Sequence, residues 1–375
     1  MSNRNNILIV AGEISGDLQA SLLVREFRKL APGVHFWGFG GEKMRSEGVE
    51  TIVDVSELAV MGLFDVVKHI PRLRALRENL ICHVKERRPS GVILVDYPGF
   101  NLSLAERLKN FRTPVGYYIS PQIWAWGEKR IEKVRKYIDK MVCILPFEKE
   151  FYFKRGIDVE YVGHPFVDIV KPEMSETVFF AHTGVDKDFL LLLPGSRRKE
   201  ISRLLPKMLQ AYSMLKNKYP QQQAMIASAQ GMDEYIHGFY PEKYGVPIVC
   251  DATYSAMAYA KCAIVASGSA TLECLVSNLP SAVIYRVDPL SWAIGKWLIK
   301  TPHIALANLV AEERVFPELI QSVNARVLSR LAEKLLFEKQ LRNEMIQKMR
   351  LAVANLGAGG AAQKAAIIFS KLFLK

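Results

Sequence analysis

Residues 264–280, IVASGSATLECLVSNLP, join an apolar run to a helical pattern through a string of small residues. Ile264 to Ala266 read as the end of a buried strand and Ser267 to Thr271 as a tight turn. Leu272, Glu273, Leu275 and Val276 then begin a helix that Asn278 and Pro280 close. A strand, a small-residue loop and a helix N-terminus together make an anion site. Glycine lets a ligand approach the backbone, and the orphan N–H groups and the macrodipole favour phosphate. Glu273, expected inside the first helical turn, would reach a ribose beside that phosphate. The plainer alternative is a βα junction whose Ser and Thr cap a helix.

Outward from this stretch, helical and strand-like segments alternate along all 375 residues, which predicts an α/β protein with parallel sheets. The length is too great for one ordinary core and predicts two domains. Half the residues are hydrophobic and 23% are charged, the balance of a globular chain. Fifty Lys and Arg against 38 Asp and Glu give a formal charge of +12, which calls for an anionic partner. No nucleic-acid module accompanies it. Cys82, Cys143, Cys250, Cys262 and Cys274 form no CxxC pair, so buried free thiols are expected in place of zinc or disulfides. The N-terminus lacks a signal peptide's layout, and nowhere do 18 apolar residues run unbroken, so any membrane contact is expected to be peripheral.

In chain order, Ile7 to Val10 reads as the first strand, leading into Gly12-Glu13-Ile14-Ser15-Gly16-Asp17, where Glu13, Ser15 and Asp17 would converge on a cleft or cap a helix. Residues 58–73 carry Val60, Met61, Leu63, Phe64 and Val67 beside Lys68 and Arg72, the composition of an interfacial segment or of a core helix running into a solvated basic one. The buried strand Gly91 to Val95 delivers Asp96 to the mouth of a sheet, where partial desolvation suits a general base; the alternative is an N-cap of a helix from Leu102. Ser120 to Trp126 is a rigid loop walled by Trp124 and Trp126. His164, at a strand end, would contact phosphate or sit hydrogen-bonded in a turn. Residues 171–184 read as an interdomain linker. Beyond it, Pro194-Gly195-Ser196-Arg197-Arg198 follows a buried strand with arginines placed for phosphate. Ile304 to Val310 reads as strand or loop, with Asn308 facing the cleft.

Together GEISGD (12–17), AVMG (59–62), VDYPGFN (95–101), SPQIWAW (120–126), LPFEKEFY (145–152), YVGHP (161–165), LPGSRRKE (193–200) and ASGSATLE (266–273) resemble the lipid A disaccharide synthase family. These are bacterial glycosyltransferases of the GT-B fold, with two Rossmann-like domains facing each other across a cleft. The likeness runs over nearly the whole chain, in order. It implies an acceptor-binding, membrane-facing domain over 1–170 and a UDP-sugar domain over 171–355. The C-terminal helix, 356–375, would cross back to the first domain or reach a partner subunit, which leaves a homodimer open. The implied reaction joins UDP-2,3-diacylglucosamine to the 6-hydroxyl of 2,3-diacylglucosamine 1-phosphate (lipid X) with inversion, releasing UDP. It needs no metal or cofactor and takes place at anionic lipids on the cytoplasmic face of the Gram-negative inner membrane.

Carried over residue by residue, the resemblance implies that Ser196 and Arg197 contact the pyrophosphate. Gly268, Ser269, Ala270 and Thr271 would supply backbone donors, Glu273 would take the ribose, and Asn308 would also contact UDP. Asp96 would be the general base, with Glu13 or Asp17 as alternatives. Ser15, Gly16, Ser120, Trp124 and His164 would line the acceptor side, and the 58–73 segment becomes the docking face. Gly99 departs from the family's motif, where another polar or acidic residue is frequent. The competing readings are another UDP-GlcNAc-type GT-B glycosyltransferase or epimerase, and a non-enzymatic basic membrane-binding protein.

Overall fold

The computed structural model describes residues 5–55, 66–125, 127–288, 292 and 301–374, with backbone only at 66–69. The chain divides into two compact units, Met1–Pro165 with Ala358–Lys375, and Phe166–Gly357.

The first unit is built on β1 (Asn6–Ala11), β2 (His35–Gly40), β3 (Glu50–Asp54), β4 (Gly91–Val95), β5 (Val115–Tyr118), β6 (Lys140–Cys143) and β7 (Val159–Tyr161). They lie in the order β3-β2-β1-β4-β5-β6-β7, and every pairing is parallel. NILIVA and GVILV have apolar residues at successive positions instead of alternate ones, so both faces of β1 and β4 must be covered, and both strands are buried throughout. The second unit repeats the scheme with β8 (Leu190–Leu193), β9 (Ala224–Ala227), β10 (Ile248–Val249), β11 (Cys262–Ala266), β12 (Ser281–Tyr285) and β13 (Glu318–Ile320). Their order is β10-β9-β8-β11-β12-β13, again parallel. Each sheet therefore reverses its winding once, between β1 and β4 and between β8 and β11. At such a switch point the two following loops diverge and leave a crevice at the carboxyl ends.

Several local expectations are corrected. The presumed linker at 171–184 contains a helix, Glu176–Thr183. Its Phe179 is fully buried against Phe189 and Tyr259, an aromatic anchor that the mixed polarity around it concealed. Residues Leu306–Ala311 are helical, not strand or loop. The helix after β11 begins at Ser269, so Glu273 stands one turn further in than its expected first-turn place. Edge strands β3 and β13 are short and half-buried, and carry too little apolar pattern to be read in advance.

The last helix, Ala361–Phe373, packs on helix Ile14–Leu30 and covers β4 and β5. Its Phe373 ring occupies the space beside Gly91, where a Cβ would lie 2.2 Å away, and Phe369 does the same at Gly116, at 2.4 Å. Among the described residues no helix is long and apolar enough to cross a membrane. The five cysteines are free, and burial pushes the Cys262 and Cys274 thiols up to about 12, which makes them inert filling. Gly116→Ala should destabilise the first unit by about 1–3 kcal/mol through overpacking against Phe369. Urea unfolding checks it, and an unchanged midpoint would contradict the packing.

Candidate active site

Ala11 and Val95 are partners across β1 and β4, so Gly12 and Asp96, the next residue on each strand, open the switch point of the first unit. Two non-glycine residues in succession, Asp96 (φ 47°) and Tyr97 (φ 47°, ψ 56°), adopt the left-handed conformation there. Each costs about 1–2 kcal/mol against ordinary backbone, so the surroundings must hold them. The Tyr97 ring lies against Gly12, whose Cβ, if present, would sit 2.1 Å from Cδ1. The Asp96 N–H donates to Tyr118 O at 3.0 Å. Its carbonyl accepts from Asn101 Nδ2 at 2.8 Å and from the Tyr117 hydroxyl at 2.5 Å. The helix that follows, Pro98–Leu108, starts earlier than expected and is capped at Tyr97 without a side-chain bond, so Asp96 is no N-cap.

The Asp96 carboxyl is left half-buried, with its pKa pushed up to about 7, first by burial and then by the charge of Glu13; the Tyr97 backbone opposes the shift. A carboxyl that gives up its proton near neutrality is what a general base requires. Glu13 stands at the head of helix Ile14–Leu30 without capping it, and Ser15 is exposed in the first turn. Gly16 is buried, with its Cβ position 3.5 Å from Ala11 Cβ, an ordinary contact.

Asp17 does not share the site. It is buried, and its carboxylate accepts from the N–H groups of Gly41, Lys43 and Met44 at 2.6, 3.0 and 3.1 Å. It thereby caps helix Glu42–Ser46 from outside, and with its acceptor capacity committed it is not a candidate base. The cap reading was right in kind, but the helix is a different one. Gly99 is exposed with nothing within 4 Å of its Cβ position, so its departure from the family motif is sterically neutral.

Further along the same carboxyl edge, the loop after β5 is tied to the helix after β6. Glu148 is fully buried in helix Pro146–Phe153 and accepts from Trp124 Nε1 at 3.1 Å and from the backbone of Ile144 and Leu145 at 3.3 and 3.0 Å. Burial pushes its pKa up to about 7, and the nearby Ser120 hydroxyl, itself buried, is the strongest influence opposing that rise. Trp124 also meets Phe147 edge-on, with ring centroids 4.8 Å apart; Trp126 lies outside the described residues. His164, after β7, is buried with its pKa lowered to about 3, hence neutral at physiological pH. Val60, Met61, Leu63 and Phe64 lie outside the described residues, as do the side chains of Val67 and Lys68. Arg72 is exposed on helix Val66–Arg87.

In the second unit, Leu193 and Val265 are partners across β8 and β11, and the motifs of interest lie in the two loops that follow. Gly268 (φ 161°) is extended backbone, and nothing lies within 4 Å of where its Cβ would be, so open space faces the helix N-terminus at Ser269. Thr271 is corrected: its N–H and hydroxyl both go to Gly268 O, at 3.2 and 2.8 Å, and it is fully buried. The orphan donors are thus the N–H groups of Gly268, Ser269 and Ala270. Glu273 is half-buried with a raised pKa caused by burial; it accepts from the Tyr254 hydroxyl at 3.1 Å, and its other oxygen has no protein partner among the described residues.

Ser196 and Arg197 are exposed at the start of helix Arg198–Lys218, but the Ser196 N–H is taken by Glu200 Oε2 at 3.2 Å. Gly195 (φ 106°) allows this, since a Cβ there would strike that same oxygen. Asn308 is also corrected. It is fully buried, donates Nδ2 to Phe316 O and Glu318 Oε1, and accepts from Val315 and Phe316 N–H. It therefore shapes the 315–318 segment instead of meeting a ligand. Nothing in the sequence singles out Asn101, Tyr117 or Tyr254, whereas Glu148 and Glu200, overlooked as functional residues, each stand three residues beyond a helix cap (Leu145 and Arg197), the spacing of a capping box.

The family model described as lipid-A-disaccharide synthetase matches residues 7–371. The chain belongs to the lipid-A-disaccharide synthase family. The synthase of Nitrosococcus oceani is 40% identical over 358 residues, covering 94% of this chain and 92% of that one. The Myxococcus xanthus synthase is 38% identical over 371 residues, covering 98% and 97%. Among solved structures, UDP-GlcNAc 2-epimerase from Neisseria meningitidis bound to UDP-GlcNAc superposes with a TM-score of 0.67 at 12% identity, covering 99% of this chain and all of that one. The calicheamicin glycosyltransferase CalG4 gives 0.58 at 15%, covering 98% of each. These likenesses establish the GT-B architecture, while the synthase relatives make the chain a glycosyltransferase.

For a synthase of this build, Asp17→Ala should cost about 1–3 kcal/mol of stability, read by thermal or urea unfolding, with near-normal turnover per folded molecule. A folded but inactive variant would return Asp17 to the chemistry. Gly268→Ala should leave the thermal midpoint unchanged and weaken UDP binding, measured by calorimetry, by about tenfold, or 1.4 kcal/mol; unaltered affinity would show that the open space is not the nucleotide's.

Proposed function

We propose that the chain transfers 2,3-diacylglucosamine from UDP-2,3-diacylglucosamine to the 6-hydroxyl of 2,3-diacylglucosamine 1-phosphate, with inversion. Asp96 is the base in this reading. Its carboxylate takes the hydroxyl proton as the oxygen attacks the anomeric carbon, the new C–O bond forms, and the bond to UDP breaks with its electron pair leaving on the diphosphate. The observation that carries the reading is a half-buried carboxyl at the β1/β4 switch point, beside Glu13, whose pKa burial and that neighbouring charge push up to about 7. Glu13 acts through its charge, which keeps Asp96 basic enough to accept a proton.

The second unit takes the donor. Gly268, Ser269 and Ala270 offer N–H groups, the adjacent β8 loop offers Ser196 and Arg197, and the partnered Glu273 carboxylate suits two ribose hydroxyls. Electrostatic help of this kind stabilises a leaving diphosphate. The first unit takes the acylated acceptor, with Ser120, Trp124 and His164 along its carboxyl edge. The epimerase alternative draws on fold likeness at 12–14% identity, whereas the synthase relatives share 36–40%. We also assign the 58–73 segment to docking on anionic membrane, on the strength of its apolar and basic sequence.

Release of UDP from UDP-2,3-diacylglucosamine should depend on the acylated acceptor; release without it, or none with it, sinks the assignment. Asp96→Asn should lower kcat by about 10²–10⁴-fold while UDP still binds. Because the base acts deprotonated, wild-type kcat should rise with pH through about 7, and a flat profile from pH 5 to 8 would remove Asp96 from the role. Phe64→Glu should release the protein from anionic vesicles in sedimentation; unchanged sedimentation refutes the docking face.

A further inference from the structure

Left-handed residues at 96 and 97 would relax to ordinary backbone if nothing opposed them, and relaxation would turn the carboxylate away from Glu13. Three contacts oppose it. The Tyr97 ring is seated on Gly12. Asn101, fully buried on the next helix, donates Nδ2 both to Val95 O at 3.1 Å and to Asp96 O at 2.8 Å. Tyr117, fully buried on β5, donates its hydroxyl to the same Asp96 carbonyl. Neither Asn101 nor Tyr117 reaches solvent, so neither touches substrate.

We propose that Asn101 and Tyr117 are positioning residues of the transfer reaction: their shared hydrogen bonds to the Asp96 carbonyl lock the strained turn that presents the Asp96 carboxylate beside Glu13. The inference rests on Asp96 being the base. Among the described residues, the titratable groups that act on that carboxyl or feel it are Glu13 at the head of helix Ile14–Leu30 and the Tyr117 phenol on β5; Glu13 also acts on the Tyr97 phenol, and Arg130 and Tyr152 act on Tyr117 from beyond. A carboxyl that drifts from this enclosure recovers its ordinary acidity.

Tyr117→Phe removes only the hydroxyl from a filled space, so the fold should survive. We expect kcat to fall by about tenfold or more, as for other small misplacements of a catalytic group, with KM for both substrates unchanged. The acidic limb of its pH–rate profile should move to lower pH. Asn101→Ala should behave alike, with a greater loss of stability. A purely structural role would lower the thermal midpoint and the active fraction but leave the limb in place. Wild-type kcat and an unmoved limb in Tyr117→Phe, with Asp96→Asn inactive, overturn the positioning role alone. Normal turnover in Asp96→Asn overturns the base assignment and the positioning role with it.

Discussion

Each sheet reverses its winding between two neighbouring strands, and the candidate chemistry depends on that reversal. Helices that follow β1 and β4, or β8 and β11, must pass to opposite faces, so the loops between strand and helix are forced apart at the carboxyl edge. No side chain has to make room there; connectivity alone leaves the gap. What the sequence supplies is the furnishing: a glycine on one lip and a reactive or anion-binding group on the other. In the first unit the missing Cβ of Gly12 admits the Tyr97 ring, and the backbone next to it carries Asp96. In the second, an open position at Gly268 leaves a helix N-terminus bare beside the β8 loop.

Some motif residues keep polar capacity in hand at the carboxyl edge and others spend theirs inside the fold, and spacing does not tell the two apart. Asp17 and Asn308 look like site residues because they are polar and adjoin glycine or small-residue turns. Each spends its hydrogen-bonding capacity inside the fold, Asp17 on the backbone of residues 41–44 and Asn308 on the backbone of residues 315–316 and the Glu318 carboxylate. Asp96 and Glu273 keep carboxylate capacity in hand, and for both burial raises the pKa. That difference has a thermodynamic signature. A carboxyl whose pKa rises on folding favours the folded state while it is protonated. Its contribution is complete below its unfolded pKa, near 4, and for Asp96 is lost as pH climbs through about 7, so ionising this candidate base costs stability in the range where the proposed role needs it ionised.

The central architecture was legible because β1, β4, β8 and β11 are unbroken apolar runs, a pattern with few readings other than buried parallel strand. Edge strands β3 and β13 were not, since a half-buried edge of a few residues has no period to detect. The loops were placed correctly at the carboxyl ends of the central strands, as Asp96 and the 264–280 stretch illustrate, but their inner wiring was hidden. Nothing local in VDYPGFN announces that Asn101 reaches back to the carbonyl of Asp96, and the partner Tyr117 is a strand away. Tertiary contact chose those roles. Glu148 is the same case: an acid in an exposed-looking helical segment that the fold turns inward to bind Trp124.

The placement of helix Ala361–Phe373 has a consequence for how the molecule is made. Strands β4 and β5 stay uncovered on one side until Phe369 and Phe373 arrive, and those residues follow the whole second unit in the chain. The intervening unit, Phe166–Gly357, is contiguous in sequence and can close as soon as it emerges. Of the two units, the one that begins first is therefore completed last. During translation its half-finished sheet presents Gly91 and Gly116 bare, an apolar surface that holdase chaperones recognise. Deleting helix Ala361–Phe373 would leave this protein permanently in that state.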